Sequence, residues 1–209
     1  MNTAVLPAEP FEAEPGDLDH AGPASTRVVV GFGFWIFLLS DIVMFSAFFA
    51  TYAVLSGATA GGPSGHELFD QKRVLLETAC LLASSFTCGL MALAVERRHA
   101  LTTYFWGLVT FLLGLSFVVL EVTEFAGMIA DGAGPARSAF LSAFFALVGA
   151  HGAHVTLGLG WLLVMLAQVA TIGYRPMVVR RLLCFSLFWH ALDIVWIAVF
   201  TTVYLMGAR

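Results

Sequence analysis

The sequence alternates long apolar runs with short polar connections. A helix that crosses a hydrocarbon layer of about 30 Å needs about 20 apolar residues, and five runs are long enough. They extend over about 28–55, 74–95, 101–129, 139–172 and 182–206. Both odd and even positions are apolar in these runs, whereas the strands of a membrane β-barrel alternate apolar and polar residues. The pattern therefore predicts an all-α integral membrane bundle of five transmembrane helices.

A polar segment, residues 1–26, precedes the first run. It contains five acidic residues, four prolines and one histidine, and no basic residue comes before Arg27. This composition predicts a disordered acidic tail, and it lacks the basic and short apolar regions of a cleavable signal peptide. Residues 27–209 are then expected to form a single transmembrane domain that is permanently anchored by its first span. The glycine-rich connection 56–73 is expected to be a flexible loop.

The composition supports a membrane protein and excludes several other classes. Of the 209 residues, 59% are hydrophobic and 11% are charged, whereas a soluble domain has about 25% charged residues. The ten Lys and Arg residues are outnumbered by fourteen Asp and Glu residues, which argues against nucleic-acid binding. All three cysteines lie inside apolar runs, so no disulfide framework is indicated.

Lysine and arginine in the short connections indicate the orientation, because cytoplasmic loops carry an excess of these residues. One side would hold Arg27, Arg97, Arg98, Arg175, Arg180 and Arg181. The other side would hold Lys72, Arg73, Arg137 and Arg209. This excess predicts a cytoplasmic N-terminus and, with an odd number of spans, a periplasmic C-terminus.

Ionisable side chains within the runs are candidates for function, since an unpaired charge in the membrane costs at least a few kcal/mol. We select Asp41, Glu121, Glu124, His151, His154, His190 and Asp193. Three of the four helices involved carry a pair at spacing i, i+3, which places both members on one helix face. Because such faces turn away from lipid, we expect these side chains to meet in a hydrogen-bonded intramembrane polar network.

Residue types alone leave four interpretations of this network open. A di-metal site would use His and Glu from several helices, although only three histidines lie in the spans. A b-type haem could be bound by a histidine of the fourth span and His190, as in the membrane anchor of a respiratory complex. A proton path could use alternating Glu, His and Asp. The fourth interpretation is a structural network that holds the helices together.

Small residues in the fourth span indicate close helix packing. Gly152, Thr156 and Gly160 recur every four residues, and Gly149 begins a second series with Ala153. Small side chains at this spacing let a neighbouring backbone approach closely. The pattern is common in membrane helices and identifies no particular partner.

Motifs in all five spans resemble subunit III of the haem-copper terminal oxidases. They are GFWIFLLSDIVMFSAFFATYAVL at 33–55, LLASS at 81–85, EVTEF at 121–125, HGAHVTLG at 151–158 and FWHALDIVWIAVFTTVYLMG at 188–207. The resemblance is specific because these motifs occur together and in the family's order. Many members have seven spans, and the first two have no counterpart here. The five-span form is most similar to subunit III of bacterial cytochrome o ubiquinol oxidase, and the five-span subunit III of some bacterial cytochrome c oxidases is the alternative.

The resemblance implies a non-catalytic accessory subunit of a proton-pumping oxidase in the bacterial inner membrane. In this family the haems and copper belong to subunit I, so neither a catalytic residue nor a metal ligand is expected in this chain. Family members pack on subunit I, in a complex that also contains subunits II and IV. They bind phospholipid between helices and help to sustain turnover and proton uptake.

The resemblance also matches individual residues of this chain to motif positions of the family. Asp41 and Glu124 match the intramembrane acids of the family, and further motif positions are matched by His151, His154, His190, Asp193 and Trp196. Longer relatives carry a basic residue near the end of the fourth span, where this chain has Gln168. Arg180 and Arg181, expected just before the fifth span, are therefore the candidate ligands for a lipid headgroup.

Overall fold

The computed structural model describes residues 26–62 and 70–206, which form long α-helices and no β-strand. The helices are α1 Thr26–Leu55, α2 Gln71–Glu96, α3 Ala100–Ala130, α4 Ala139–Ile172 and α5 Pro176–Val199, and α5 continues into a π-helical turn, Phe200–Leu205. Five segments among the described residues are long and apolar enough to cross a membrane. The predicted fold class is confirmed.

Two predicted polar segments are described only in part. The tail prediction for 1–26 falls almost wholly outside the described residues, and Thr26 begins α1. In the connection 56–73, residues 63–69 lie outside the described part, and the last three residues are helical. The reason is a helix cap: the side chain of Asp70 accepts a hydrogen bond from the backbone N–H of Lys72 at 3.0 Å. Arg73 is consequently a helical residue and not part of a loop.

The fifth helix begins earlier than its apolar run indicated. It starts at Pro176, so Arg180 and Arg181 lie inside α5 and not just before it. Proline favours the first helical position because its fixed φ suits the helix and its missing N–H would have no partner there. Arginine can also extend a long apolar stem from a helix towards the membrane surface. An apolar run therefore underestimates the length of such a helix.

The connections between the helices gather at the two ends of the bundle. The short connections 97–99 and 173–175 lie at one end. We call it the arginine end, after Arg97, Arg98, Arg175, Arg180 and Arg181. The connections 56–70 and 131–138 lie at the other, which we call the long-loop end. Within the bundle α2 packs along α3, α5 contacts both α2 and α4, and α1 lies mainly against α4 with most of its surface exposed.

Two buried tryptophans of α5 form hydrogen bonds with α2. The indole N–H of Trp189 donates to Ser84 Oγ, and that of Trp196 donates to Thr78 Oγ1, each at 3.1 Å. Both rings are almost completely buried. A buried indole N–H needs a partner, and the hydroxyl groups of α2 satisfy this requirement.

Two glycines let α3 and α4 approach the ring of Trp189. A Cβ atom on Gly114 of α3 would lie 2.9 Å from that ring, and one on Gly158 of α4 would lie 2.8 Å from it. Real Cβ atoms do not approach so closely, so only glycine fits at both positions. The ring of Trp189 therefore joins four helices.

Candidate functional site

Three buried glutamates form a cluster near the long-loop end. Glu77 of α2 is completely buried, and Glu121 and Glu124 of α3 are 3% and 8% exposed. The three carboxyl groups lie close enough for their charges to interact. Arg73, one helical turn before Glu77, supplies a positive charge: its Nε lies 3.7 Å from Glu77 Oε1. We call these four residues the carboxyl cluster.

Arg73 joins α2 to α3. Its guanidinium donates hydrogen bonds to the carbonyl oxygen of Leu120, at 2.8 Å, and to Thr123 Oγ1. Neither carboxylate oxygen of Glu77 accepts a hydrogen bond from the described residues, so Glu77 and Arg73 interact through their charges. Since Arg73 is half-buried and its charge acts on the carboxyl groups of Glu77 and Glu124, it is a counterion of the cluster.

The sequence interpretation missed Glu77. This residue lies inside the second apolar run, four residues after Arg73, and that spacing places the two side chains next to each other on a helix. The signal was therefore present. Glu77 is an acid inside an apolar run, as Glu121 and Glu124 are, but with Arg73 in the predicted loop the sequence does not reveal its positively charged neighbour.

The carboxyl group of Glu121 lies directly against the backbone of α4 at Gly152. A Cβ atom at position 152 would lie 2.6 Å from Glu121 Cδ and closer still to both carboxylate oxygens. Glycine is thus required at this position for the carboxyl group to fit between α3 and α4. This contact gives the HGAHV motif a steric role in the cluster.

Two buried tyrosines bring the remaining helices to the cluster. Tyr204, in the π-helical turn after α5, interacts electrostatically with all three glutamates and with Tyr52 of α1. Tyr204 and Tyr52 are 2% and 4% exposed. With Gly152 on α4, every helix of the bundle contributes a residue in or beside the carboxyl cluster.

The two histidines of α4 face different neighbours. His151 is fully buried, with its Nε2 3.2 Å from the carbonyl oxygen of Leu192 and its ring 5.0 Å from that of Trp196. The ring of Phe117 packs edge-on against it at 5.7 Å. His154 is only half-buried, and its Nδ1 donates to the carbonyl oxygen of its own helix at position 150, at 2.7 Å.

His190 and Asp193 line a groove between α2 and α5. His190 Nδ1 donates to the carbonyl oxygen of Ser186 at 2.7 Å, and Asp193 interacts with His190 and with Ser85 of α2. Both side chains are half-buried.

Asp41 is also half-buried and lies on α1, one turn before Phe45, whose ring is 5.3 Å from that of His154.

The structure thus places the seven predicted network residues in four locations. Glu121 and Glu124 belong to the carboxyl cluster, and His151 lies in the aromatic core. His190 and Asp193 lie in the α2–α5 groove, and Asp41 and His154 lie where α1 meets α4. The i, i+3 pairs on α3 and α5 stay together, whereas the pair on α4 is divided between the core and the contact with α1.

The predicted packing residues of α4 also differ in their surroundings. Gly152 touches Glu121, and Gly149 has an ordinary contact with Phe125, 3.5 Å from a Cβ at that position. Nothing lies within 4 Å of a Cβ at Gly160. Thr156 is exposed, and its hydroxyl donates to the carbonyl oxygen of Gly152 at 2.8 Å.

The two candidate headgroup residues have separate environments at the arginine end. Arg181 donates to Gln168 Oε1 of α4 at 3.4 Å. Arg180 lines a surface pocket of about 370 Å³ together with Arg98 and Glu96 of α2. The two arginines therefore face different sides of α5.

Residues 26–62 and 70–206 contain no group of three or more His, Cys, Asp or Glu side chains placed to bind a metal ion. The described polar groups instead contact backbone carbonyls, indole rings and one guanidinium. The described residues therefore form a multi-pass membrane protein in which charged side chains such as Arg73 and Arg181 form hydrogen bonds between helices.

Sequence comparison with known proteins identifies the family of this chain. Residues 18–208 match the family described as Cytochrome c oxidase subunit III. Cytochrome bo(3) ubiquinol oxidase subunit 3 of Pseudomonas aeruginosa is 53% identical over 210 aligned residues, which cover 100% of each chain. Quinol oxidase subunit 3 of Bacillus subtilis is 46% identical over 84% of this chain and 86% of its own length. The chain belongs to the subunit III family of the haem-copper terminal oxidases, and the predicted resemblance is confirmed.

Proposed function

We propose that this chain is the non-catalytic subunit III of a proton-pumping ubiquinol oxidase in aerobic respiration. The observation that supports a quinol donor is the similarity over the whole chain to a relative named ubiquinol oxidase subunit 3. In this proposal the haems and copper reside in subunit I, on which this chain packs, and subunits II and IV complete the complex. The chain is embedded in the bacterial inner membrane with a cytoplasmic N-terminus and a periplasmic C-terminus.

The polar residues support an accessory role rather than a redox role. The carboxyl cluster is enclosed by residues from all five helices, and His151 is enclosed by aromatic rings. Arg73 offsets part of the charge of the carboxyl cluster, and His151 Nε2 pairs with the Leu192 carbonyl oxygen, whereas isolated charged or polar groups are costly within a membrane. We therefore assign these contacts to the stability of the bundle, which presents surfaces to subunit I and to phospholipid and so sustains turnover.

Purification of the native complex tests the proposal. The complex should contain this chain together with a haem-containing subunit I, and it should oxidise ubiquinol in preference to reduced cytochrome c. Oxidation of cytochrome c alone would favour the alternative donor. Sharp reduced-minus-oxidised haem bands in the isolated chain would instead identify a haem-b membrane anchor.

Substitutions in α5 can distinguish the accessory role from the haem-anchor role. His190→Ala or Asp193→Ala should weaken the bundle or its association, because removal of one partner leaves the other unpaired at a cost of about 1–3 kcal/mol. The haem spectrum per subunit I should not change, because no haem ligand is removed. A loss of haem signal at constant subunit I content would contradict the accessory role.

A further inference from the structure

A groove between α2 and α5 combines apolar walls with a polar floor. It has a volume of about 450 Å³. Its walls include Leu82, Phe86 and Leu93, and its floor contains Ser85, His190 and Asp193. The described residues leave this groove open at the side of the bundle, with both titratable side chains half-buried.

The polar floor lies at the middle of the membrane. His190 and Asp193 are near the centre of the candidate span Pro176–Leu205, about 20 Å along the helix from either end at 1.5 Å per residue. Phospholipid headgroups stay at the membrane surface, and acyl chains carry no hydrogen-bond donor at this depth. Lipid alone would therefore leave the Nε2 atom of the His190 imidazole without a hydrogen bond.

The floor offers one open hydrogen-bond acceptor. His190 Nδ1 donates to the Ser186 carbonyl, so the neutral ring has its lone pair on Nε2. That Nε2 lies only 3.9 Å from the place where Gly89 would carry a Cβ, and it has no hydrogen bond from the described residues. Beside it, Asp193 already interacts with Ser85 and with His190, and its Oδ1 is buried beneath the floor. A group that pairs with the open His190 Nε2 must therefore be a hydrogen-bond donor.

We infer that the α2–α5 groove is the docking surface for a transmembrane helix of a partner subunit that carries a hydroxyl or amide donor at mid-membrane depth. This inference rests on the proposed function, because membership in the subunit III family is what implies partner subunits. Gly89 allows the partner helix to approach, since small residues let helix backbones come close together. The apolar walls surround the polar contact and exclude water from it.

Filling the groove tests this inference in the intact complex. Gly89→Leu adds a side chain where a Cβ meets only His190 Nε2, at 3.9 Å. It should reduce the amount of this chain retained with subunit I after a detergent wash by about threefold or more, the equivalent of one intramembrane hydrogen bond. Gly160→Leu, which adds the same side chain to an open position on α4, should leave retention unchanged.

A photo-crosslinker identifies what occupies the groove, and it decides the question even if Gly89→Leu fails to fold. Benzoylphenylalanine in place of Phe86, which is 69% exposed, should crosslink to a partner subunit in the purified complex that carries no other substitution. Crosslinks only to lipid, to quinone or to a second copy of this chain would overturn the inference. Unchanged retention of a folded Gly89→Leu variant would overturn it as well. If the wild-type chain did not co-purify with a haem-containing subunit, the proposed function itself would fail.

Discussion

At the scale of single residues, the carboxyl cluster depends on one glycine and one arginine. Gly152 leaves the space that the Glu121 carboxyl group occupies, and Arg73 supplies the positive charge beside Glu77. Buried charges are tolerated only when they are paired or hydrogen-bonded. Each of these two residues should therefore matter more for stability than its size or its position near a helix end implies.

Gly152→Ala should destabilise the bundle by about 1–3 kcal/mol, because the new methyl group would overlap the Glu121 carboxyl group and force the two helices apart. The thermal unfolding midpoint in detergent measures this effect. Gly160→Ala is the matched control on the same helix, since nothing lies within 4 Å of its Cβ position. Equal midpoints for the two variants would show that Glu121 adjusts without strain.

Arg73→Gln should destabilise the bundle by about 1–3 kcal/mol, because it leaves Glu77 without its counterion in a buried site. Lys72→Gln removes the same charge from the exposed neighbouring residue and should have little effect. Adding Glu77→Gln to Arg73→Gln should restore part of the lost stability, since position 77 then carries no charge that lacks its counterion. Strictly additive effects of the two substitutions would mean that the pair is not coupled.

The cluster also shows what residue patterns could and could not predict. Glu121 and Glu124 were recognisable as candidates because they are acids in an apolar run. Their contact with Gly152 depends on which face α4 turns towards α3, and the spacing of small residues left Gly149, Gly152 and Gly160 equivalent. Glu77 is likewise an acid in an apolar run, but its pairing with Arg73 depends on the start of α2 at the Asp70 cap, which the apolar run does not reveal.

At the scale of helices, the apolar runs located α1 to α4 well because membrane thickness fixes the length of a span. The start of α5 was wrong since its first turns contain arginines. This correction separates the roles of the two candidate headgroup residues. Arg180 shares a pocket with Arg98, whereas Arg181 is joined to Gln168. Arg180, in a pocket that also contains Glu96, therefore stays the predicted ligand for a lipid phosphate group.

Arg180→Gln should lower the phospholipid that co-purifies with the complex and shorten its active lifetime during turnover, without changing the initial rate. The reason is that a guanidinium binds phosphate through two hydrogen bonds, which an amide side chain cannot reproduce. Arg181→Gln is the matched comparison and should have the smaller effect, because Gln168 already engages that side chain. Full lipid content and an unchanged lifetime in Arg180→Gln would leave this arginine with a role in orientation only.

At the scale of the whole molecule, the position of Arg73 changes the count of basic residues that face outward at each end of the bundle. The sequence placed it among the basic residues of the long-loop end, but its guanidinium is turned into the bundle beside Glu77. The arginine end has five described arginines, whereas Lys72 and Arg137 are the described basic residues left facing outward at the long-loop end. Because basic residues favour the cytoplasmic side, this distribution strengthens the prediction that the arginine end faces the cytoplasm.

Thiol labelling in intact cells can measure this orientation. The native cysteines Cys80, Cys88 and Cys184 all lie within membrane-spanning helices, where a charged reagent does not reach them. Ala58→Cys would place an exposed thiol at the long-loop end, and Ala100→Cys would place one at the arginine end. A membrane-impermeant maleimide should label position 58 in intact cells and position 100 only after permeabilisation. The reverse pattern would show that the positive-inside rule fails for this chain and that the carboxyl cluster lies near the cytoplasmic face.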